Sequence, residues 1–162
     1  MTNYEEAMRT LQEKFGNQDA LISLSTIALT GNADGKPVPA ARLVSVYYED
    51  GCFYTVTYAT TAKVQQITQN PEVAICYIVE NFTANGIAEN LGWVCDEKNK
   101  ALMDKIRPIF AGWYDDANND SDPYTVLVRI RLTKGLWNDA HKGIREELDF
   151  VNKTAETFHD RA

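Results

Sequence analysis

The sequence predicts a mainly β fold of the α+β class, a six-stranded antiparallel barrel with peripheral helices. About six stretches read as strands, Asp34-Gly35 and Asp50-Gly51 are typical hairpin turns, and helical stripes lie near both ends. An open sandwich of the ferredoxin-like kind is the alternative, but six strands and the hairpin spacing favour the barrel. With 162 residues, the chain is expected to form a single domain over residues 1–162.

The first half of the chain is predicted to contain one helix followed by three strands. Apolar residues at helical spacing indicate a helix from Tyr4 to Phe15, ended by Gly16-Asn17. The three strands are predicted at Leu21–Leu29, Val38–Tyr48 and Cys52–Tyr58, joined by the two Asp-Gly turns.

The second half is predicted to mix helices and strands. A short helix covers Thr61–Gln69, and Pro71 prevents its continuation. The nearly all-apolar run Val73–Val79 is expected to be a central strand covered on both faces. The remaining elements are a strand at Thr83–Val94, a helix capped by Asp96 and reaching Phe110, a last strand at Tyr124–Leu132, and a final helix whose apolar stripe runs from Ile144 to Phe158.

Charge and hydropathy exclude several classes of partner. The formal net charge of −7 argues against nucleic acid and anionic lipid as partners, because both repel an acidic chain. No apolar run approaches the ~20 residues that span a bilayer, and the start M-T-N-Y-E-E does not resemble a signal peptide. A cytoplasmic protein without a membrane partner is therefore expected.

The cysteines and histidines do not suggest a metal site. The three cysteines, Cys52, Cys76 and Cys95, are far apart and form no C-x-x-C pair, which argues against a disulfide framework or structural zinc. The two histidines, His141 and His159, are expected to be solvated. No metal ligand is predicted.

Two basic residues lie where a strand face and a helix start can direct them at one anion. Alternation places Arg42 on the same face as Val44 and Val46, where a charge is costly unless it is paired. Lys63 lies in the first turn of a predicted helix, where the helix dipole disfavours a cation unless an anion is bound. For each residue alone, an ordinary paired, snorkelling or exposed side chain is the alternative interpretation.

The hairpin at Asp50-Gly51 brings the two signals to the same end of the sheet. A helix start offers free backbone N–H groups to phosphate, and an arginine fork with a lysine point charge is a sensible phosphate ligand set. Thr60 and Thr61 add hydroxyl donors directly before Lys63. The sequence therefore predicts a site for a phosphate-bearing ligand.

The run from Ala40 to Ile75, A-A-R-L-V-S-V-Y-Y-E-D-G-C-F-Y-T-V-T-Y-A-T-T-A-K-V-Q-Q-I-T-Q-N-P-E-V-A-I, resembles the pyridoxamine 5′-phosphate oxidase-like superfamily, in its short, general-stress-protein-like branch. The resemblance covers roughly Asn3–Asp139, and its most specific part is the spacing from Tyr54 through Lys63 to Pro71. It implies the FMN-binding split β-barrel as the fold.

The resemblance also implies a cofactor and its ligands. FMN is the implied cofactor, with FAD and F420 as alternatives, and the backbone of Leu43 and Val44 would lie along its ring. The implied cofactor-binding residues are Arg42, Leu43, Val44, Tyr54, Thr55, Thr57, Thr60, Thr61 and Lys63. Classical oxidases have an arginine directly before the lysine where this chain has Ala62, so its phosphate binding would be weaker or differently shared.

Family members are usually homodimers with the flavin at the interface, so a homodimer is implied, with Trp93 and Trp113 as candidates for the partner subunit's part of the site. The implied function is an FMN-dependent oxidoreductase of unknown substrate and unknown catalytic residues, reduced by NAD(P)H or another small molecule. True pyridoxamine phosphate oxidation is not expected, because His159-Asp160-Arg161 echoes only the end of that enzyme's R-L-H-D-R motif. A non-enzymatic flavin, deazaflavin or haem binder, and an interaction domain without cofactor, are the alternative functions.

Overall fold

The computed structural model of the chain describes residues 1–159 and consists mainly of strands. The helices are α1 (Asn3–Phe15), α2 (Ala62–Gln69), α3 (Lys100–Ile109) and α4 (Tyr114–Ala117), with a 3₁₀ turn at Glu97–Asn99. The strands are β1 (Ala20–Ile27), β2 (Pro39–Glu49), β3 (Cys52–Tyr58), β4 (Glu72–Tyr77), β5 (Phe82–Trp93), β6 (Thr125–Asp139), β7 (Ile144–Asp149) and β8 (Thr154–His159).

Six of the strands close into an antiparallel barrel. The hydrogen-bonded order is β3-β2-β1-β4-β5-β6-β7-β8, and an additional pairing of β3 with β6 completes the ring. Asp50 and Gly51 both have positive φ, 47° and 77°, as a tight hairpin turn between β2 and β3 requires. The predicted six-stranded barrel is therefore confirmed, and β7 and β8 extend its sheet beyond β6.

The barrel is split between β2 and β3. Their paired register covers only Tyr47 to Glu49 on β2, opposite Cys52 to Tyr54 on β3. Beyond that point β2 continues along β1, whereas β3 continues along β6 up to Tyr58. The two strands therefore diverge, and the end of the barrel where they diverge also carries the loop into α2.

Side chains from both ends fill the barrel interior. Phe15, at the end of α1, is fully buried, and its ring centroid lies 4.8 Å from that of Tyr77 and 5.3 Å from that of Phe82. Val64 and Ile67 of α2 belong to the same buried cluster. The two helices thus bring apolar side chains into the barrel core.

A second buried cluster lies on the outside of the barrel. Met103, Ile106 and Phe110 of the α3 region pack there against Tyr54 and Leu127 from β3 and β6. The α3 region therefore covers the outer face of these two strands, and this decides which way alternate side chains of β3 point.

The prediction of a final helix from Ile144 to Phe158 is wrong, because this segment forms the hairpin β7–β8. The Asp149 carboxylate accepts hydrogen bonds from the backbone N–H groups of Val151 and Asn152, and Lys153 takes a positive φ of 57°. This Asx turn reverses the chain where a helix would have to continue. The apolar residues that suggested a helical stripe therefore lie on two strands and the turn between them. Val151, which the stripe predicted to be buried, is 66% exposed at this turn.

Other elements differ from the predictions in their extent or environment. Asp96 caps the 3₁₀ turn through the N–H of Lys98, and the α-helix proper begins at Lys100. The last barrel strand runs to Asp139, past its predicted end at Leu132, because β7 pairs with the extension. The strand predicted at Val73–Val79 is central, between β1 and β5, but Ala74 and Cys76 on its outer face are only partly buried.

Three further findings concern membranes and metals. Among residues 1–159, no helix is long and apolar enough to cross a membrane. The three cysteines are free thiols. Within the same range, no cluster of three or more His, Cys, Asp or Glu side chains could hold a metal ion.

Candidate functional site

Arg42 lies on the inner face of β2 at the split end of the barrel. Its register partner is Leu24 of β1, whose side chain is buried in the barrel core. Val44 and Val46 follow on the same face and are buried, whereas Arg42 is half-buried at the rim. The placement on the apolar face agrees with the alternation seen in the sequence.

Neutral oxygen atoms hold the Arg42 guanidinium. Nη1 donates to the Thr26 hydroxyl at 2.6 Å, to the Leu24 carbonyl at 3.2 Å and to the Ala40 carbonyl at 3.3 Å. Nη2 donates to the Gln66 side-chain carbonyl at 2.7 Å. A guanidinium has five N–H donors, so the Nε–H and one Nη2–H keep no partner among the described residues. Those two donors form the edge that binds a phosphate or carboxylate in bidentate fashion.

Thr26 and Gln66 complete this set of hydrogen bonds, and the sequence analysis does not predict them as site residues. The Thr26 hydroxyl donates to Gln66 Oε1 at 2.5 Å, and both side chains are buried, 1% and 9% exposed. A signal did exist, since Thr26 continues the buried face of Ile22 and Leu24 on β1, just as Arg42 continues the face of β2. A polar residue at such a position calls for a partner on the neighbouring strand or helix.

Lys63 lies in the first turn of α2, half-buried and close to Arg42. Burial, and secondly the positive charge of Arg42, lower the pKa of Lys63. Burial also lowers the pKa of Arg42. Within residues 1–159, neither cation forms an ion pair, and Lys63 makes no hydrogen bond. Among the described residues, the two positive charges at the split therefore have no compensating carboxylate.

The start of α2 has no side-chain cap. Thr61 occupies the N-cap position, but its hydroxyl donates to the Tyr58 carbonyl at 2.8 Å instead of accepting from the helix. The first-turn N–H groups of the helix are thus free of a capping side chain. Thr60 is exposed in the preceding turn and Ala62 is exposed at the first helical position. Because alanine has no charged side chain, Ala62 adds no third positive charge to the site.

The candidate residues of β3 divide between its two faces. Thr55 and Thr57 share the inner face with Phe53 and are buried, 4% and 7% exposed. Their hydroxyls have no hydrogen-bond partner in the described part of the chain. Tyr54 instead points to the outer cluster under α3, where burial raises its pKa to about 12. Its side chain is therefore not brought together with the two cations.

The candidate residues of β2 also point to opposite faces of their strand. Leu43 faces outward and is 61% exposed, whereas Val44 points into the core and is 7% exposed. The part of β2 that precedes Tyr47 has no register partner on β3, so the backbone groups along that edge border the split. Only the main chain of these two residues can therefore serve a ligand in the split together with Arg42.

The two tryptophans suggested for the partner's part of the site lie near α3 and α4. The Trp93 indole N–H donates to the Asp120 carbonyl at 2.9 Å, and Trp93 is 37% exposed. The Trp113 N–H donates to the Asp19 carboxylate at 2.6 Å. Both indole N–H groups are thus engaged within the same chain.

The fold and the site define a split-barrel protein with a cationic cradle, formed by Arg42 and Lys63, at the point where β2 and β3 diverge. A family model described as pyridoxamine 5′-phosphate oxidase matches residues 8–136. The chain belongs to the pyridoxamine 5′-phosphate oxidase family. A comparison with curated individual proteins found no match.

Several solved structures share the fold. General Stress Protein 26 from Bacillus anthracis str. Sterne is 20% identical with a TM-score of 0.60, and the match covers 90% of this chain and 97% of that chain. A pyridoxamine 5′-phosphate oxidase-related, FMN binding protein from Nostoc punctiforme PCC 73102 is 12% identical with a TM-score of 0.60, covering 100% and 98%. A FAD-binding protein from Mesorhizobium loti is 16% identical with a TM-score of 0.56, covering 76% and 88%. At these identities the likeness concerns the fold.

Proposed function

We propose that this chain binds FMN through its phosphate and functions as a flavin-dependent oxidoreductase. The observation that carries the proposal is the pair Arg42 and Lys63, two half-buried cations beside one another with no carboxylate partner among residues 1–159. Such a pair is unfavourable by itself, because like charges repel and burial removes hydrating water. A bound dianion relieves both effects.

The donors available at the split match a phosphate monoester. The free Nε–H and Nη2–H of Arg42 supply a fork, Lys63 supplies a point charge, and the uncapped start of α2 supplies backbone N–H groups. A monoester carries close to two negative charges at neutral pH, which equals the charge of the two cations. FMN is therefore preferred here over FAD and F420, although relatives include proteins named for binding FMN and FAD.

The split also offers a place for the ring. A bound flavin supplies the redox chemistry, while the protein binds, orients and shields it from water. The unpaired edges of β2 and β3 present main-chain groups along the split, at Leu43 and Val44 and near Thr57. We propose that these groups orient the polar edge of the ring, with the Arg42 fork fixing the phosphate end.

We further propose that two copies of the chain associate through the outer face of β2, β1 and β4. Small side chains dominate this face, and it carries large apolar residues, Leu21 at 57% exposure and Leu43 at 61%. Ile78 and Val79, directly after β4, are 69% and 87% exposed. An apolar surface of this kind next to a cofactor site is typical of an interface, and a second copy would cover a ring lying beside Leu43.

The proposed function is tested by titrating the purified protein with FMN and with riboflavin, which lacks the phosphate. We expect tight binding of FMN and much weaker binding of riboflavin, measured by the absorbance and fluorescence of the flavin. Anaerobic addition of NADPH or NADH should then bleach the flavin near 450 nm, a generic property of flavins. Pyridoxamine 5′-phosphate should not be oxidised in the same assay. A protein that takes up no flavin would refute the proposal, and one that binds FMN without reduction would be a carrier.

The FMN affinity is also expected to depend on pH through Lys63. Its lowered pKa means that the free protein loses this positive charge at a lower pH than an ordinary lysine. A bound dianion raises that pKa, so the contribution of Lys63 is complete below the free-state pKa and disappears as the pH rises through the bound-state pKa. FMN affinity should therefore rise from acidic to neutral pH, as the phosphate ionises near pH 6, and fall at alkaline pH.

The variant Lys63→Met supplies the control for this pH profile. It should weaken FMN binding at neutral pH and remove the alkaline decrease, once the profile is divided by that of riboflavin to correct for the ring. An unchanged alkaline decrease in Lys63→Met would show that another group is responsible.

A further inference from the structure

The buried amide of Gln66 is the part of the site for which sequence reasoning and the family resemblance assign no role. We propose that Gln66 is a positioning residue that fixes the Arg42 guanidinium, and that its neutral amide keeps the full charge of Arg42 and Lys63 available for a dianionic phosphate. The proposal rests on the proposed function and deepens it by naming what sets the charge of the site.

The geometry supports a positioning role. Gln66 Oε1 accepts from Arg42 Nη2 at 2.7 Å and from the Thr26 hydroxyl at 2.5 Å, while that hydroxyl accepts from Arg42 Nη1 at 2.6 Å. The three side chains form a closed set of hydrogen bonds on one edge of the guanidinium. The amide must present its oxygen there, because a guanidinium has no acceptor for an N–H group. With that edge occupied, the Nε–H of Arg42 is left without a partner among residues 1–159.

The choice of a neutral acceptor also matters. A half-buried arginine is ordinarily paired with a carboxylate, which removes the cost of burying its charge. Here its acceptors are the Gln66 amide, the Thr26 hydroxyl and the carbonyls of Leu24 and Ala40. Glutamate at position 66 has nearly the same shape and could accept the same two hydrogen bonds. It would, however, cancel one of the two positive charges that face the ligand.

The groups that face the two cations come from three elements, β1, β2 and α2. From β1 these are Thr26 and Leu24, from β2 Arg42, and from α2 Lys63 and Gln66. No carboxylate contributes to the lowered pKa of Lys63 or of Arg42. A carboxylate introduced at position 66 would thus be the first negative charge in this set.

Gln66→Glu tests the effect of charge, and Gln66→Met tests the effect of position. The control is Gln69→Glu, which adds the same charge to α2 on an exposed residue whose amide bonds to the Leu29 carbonyl. For each variant we would measure the dissociation constants of FMN and riboflavin, and the rise in Tm of the flavin-free protein when chloride is replaced by inorganic phosphate at constant ionic strength.

We expect Gln66→Glu to weaken FMN binding by about 10-fold to 1000-fold, the range that one neighbouring charge typically produces in a charge equilibrium. Riboflavin binding should stay within about 3-fold, and the rise in Tm with phosphate should disappear. Gln66→Met should reduce FMN affinity less, because the charges remain and only the fixed orientation is lost. Gln69→Glu should behave like the natural protein in both measurements.

The outcomes separate this proposal from the proposed function. If the natural protein discriminates FMN from riboflavin and Gln66→Glu leaves that discrimination unchanged, the role of Gln66 is overturned and the function stands. If phosphate stabilises the natural protein but not Gln66→Glu, while flavins do not bind, the role of Gln66 stands and the flavin proposal fails. Equal losses of FMN and riboflavin in Gln66→Glu, or no effect of phosphate on the natural protein, would also overturn the role of Gln66.

Discussion

Replacing Arg42 by alanine is expected to weaken FMN binding by about 100-fold to about 20,000-fold, while riboflavin binding changes little. The change removes a fork of two charge-assisted hydrogen bonds to the phosphate, each worth about 1.5 to 3 kcal/mol, so the expected loss is about 3 to 6 kcal/mol. Lys63 remains but provides only a point charge. Isothermal titration with both ligands measures the difference directly.

Two further variants make this result specific. Arg42→Lys keeps the charge but replaces the planar fork with a point charge, so it should recover only part of the affinity. Arg131→Ala is the matched control, because Arg131 is an exposed arginine on β6, opposite Cys52 near the other end of β3. Similar losses of FMN and riboflavin in Arg42→Ala, with an unchanged Tm, would contradict the assignment of the phosphate to Arg42.

Replacing Leu21 by glutamate is expected to convert the proposed dimer to monomers at micromolar concentration. Leu21 is 57% exposed on the outer face of β1, opposite Ser45 of β2, and contributes no side chain to the cationic cradle. A twofold interface contains the substitution twice, and an unpaired charge buried in an interface costs several kcal/mol. The dissociation constant of the dimer should rise by at least about 100-fold, as measured by analytical ultracentrifugation.

Val151→Glu is the control for this prediction. Val151 is 66% exposed at the β7–β8 turn and lies outside β1, β2 and β4, the strands of the proposed interface, so the same charge should leave the association unaffected. If the second copy covers the flavin, Leu21→Glu should also weaken FMN binding although it leaves Arg42 and Lys63 intact. Natural protein that is monomeric at all concentrations would contradict the proposed interface.

The sequence located the main elements of the site but not its internal contacts. Alternation placed Arg42 on the inner face of β2, and the helix start placed Lys63 in the first turn of α2, as the structure has them. The hairpin at Asp50-Gly51 predicts that these two residues lie close together. The contact of Arg42 with Gln66 spans 24 residues and links a strand to a helix, so no local pattern encodes it.

The same limit explains two further findings. The family resemblance groups Tyr54 with Thr55, but adjacent residues of a strand point to opposite faces, and the outer face of β3 is buried under α3. The stripe from Ile144 to Phe158 fits a helix by spacing, yet Asx hydrogen bonds at Asp149 and pairing of β7 with β6 favour a hairpin. The spacing of apolar residues does not reveal whether a distant strand is available to pair with the segment.

Residues close along the chain specify several features: the alternation of strands, the turn at Asp50-Gly51, the start of α2 and the two cations on their respective faces. Features that depend on pairing between distant segments arise only in the folded chain. Closure joins β3 to β6, which lie about seventy residues apart, and the split between β2 and β3 follows from that closure. Because register and packing between distant segments fix these contacts, only the folded chain shows Arg42 held by neutral groups beside Lys63, with its Nε–H left without a partner among residues 1–159.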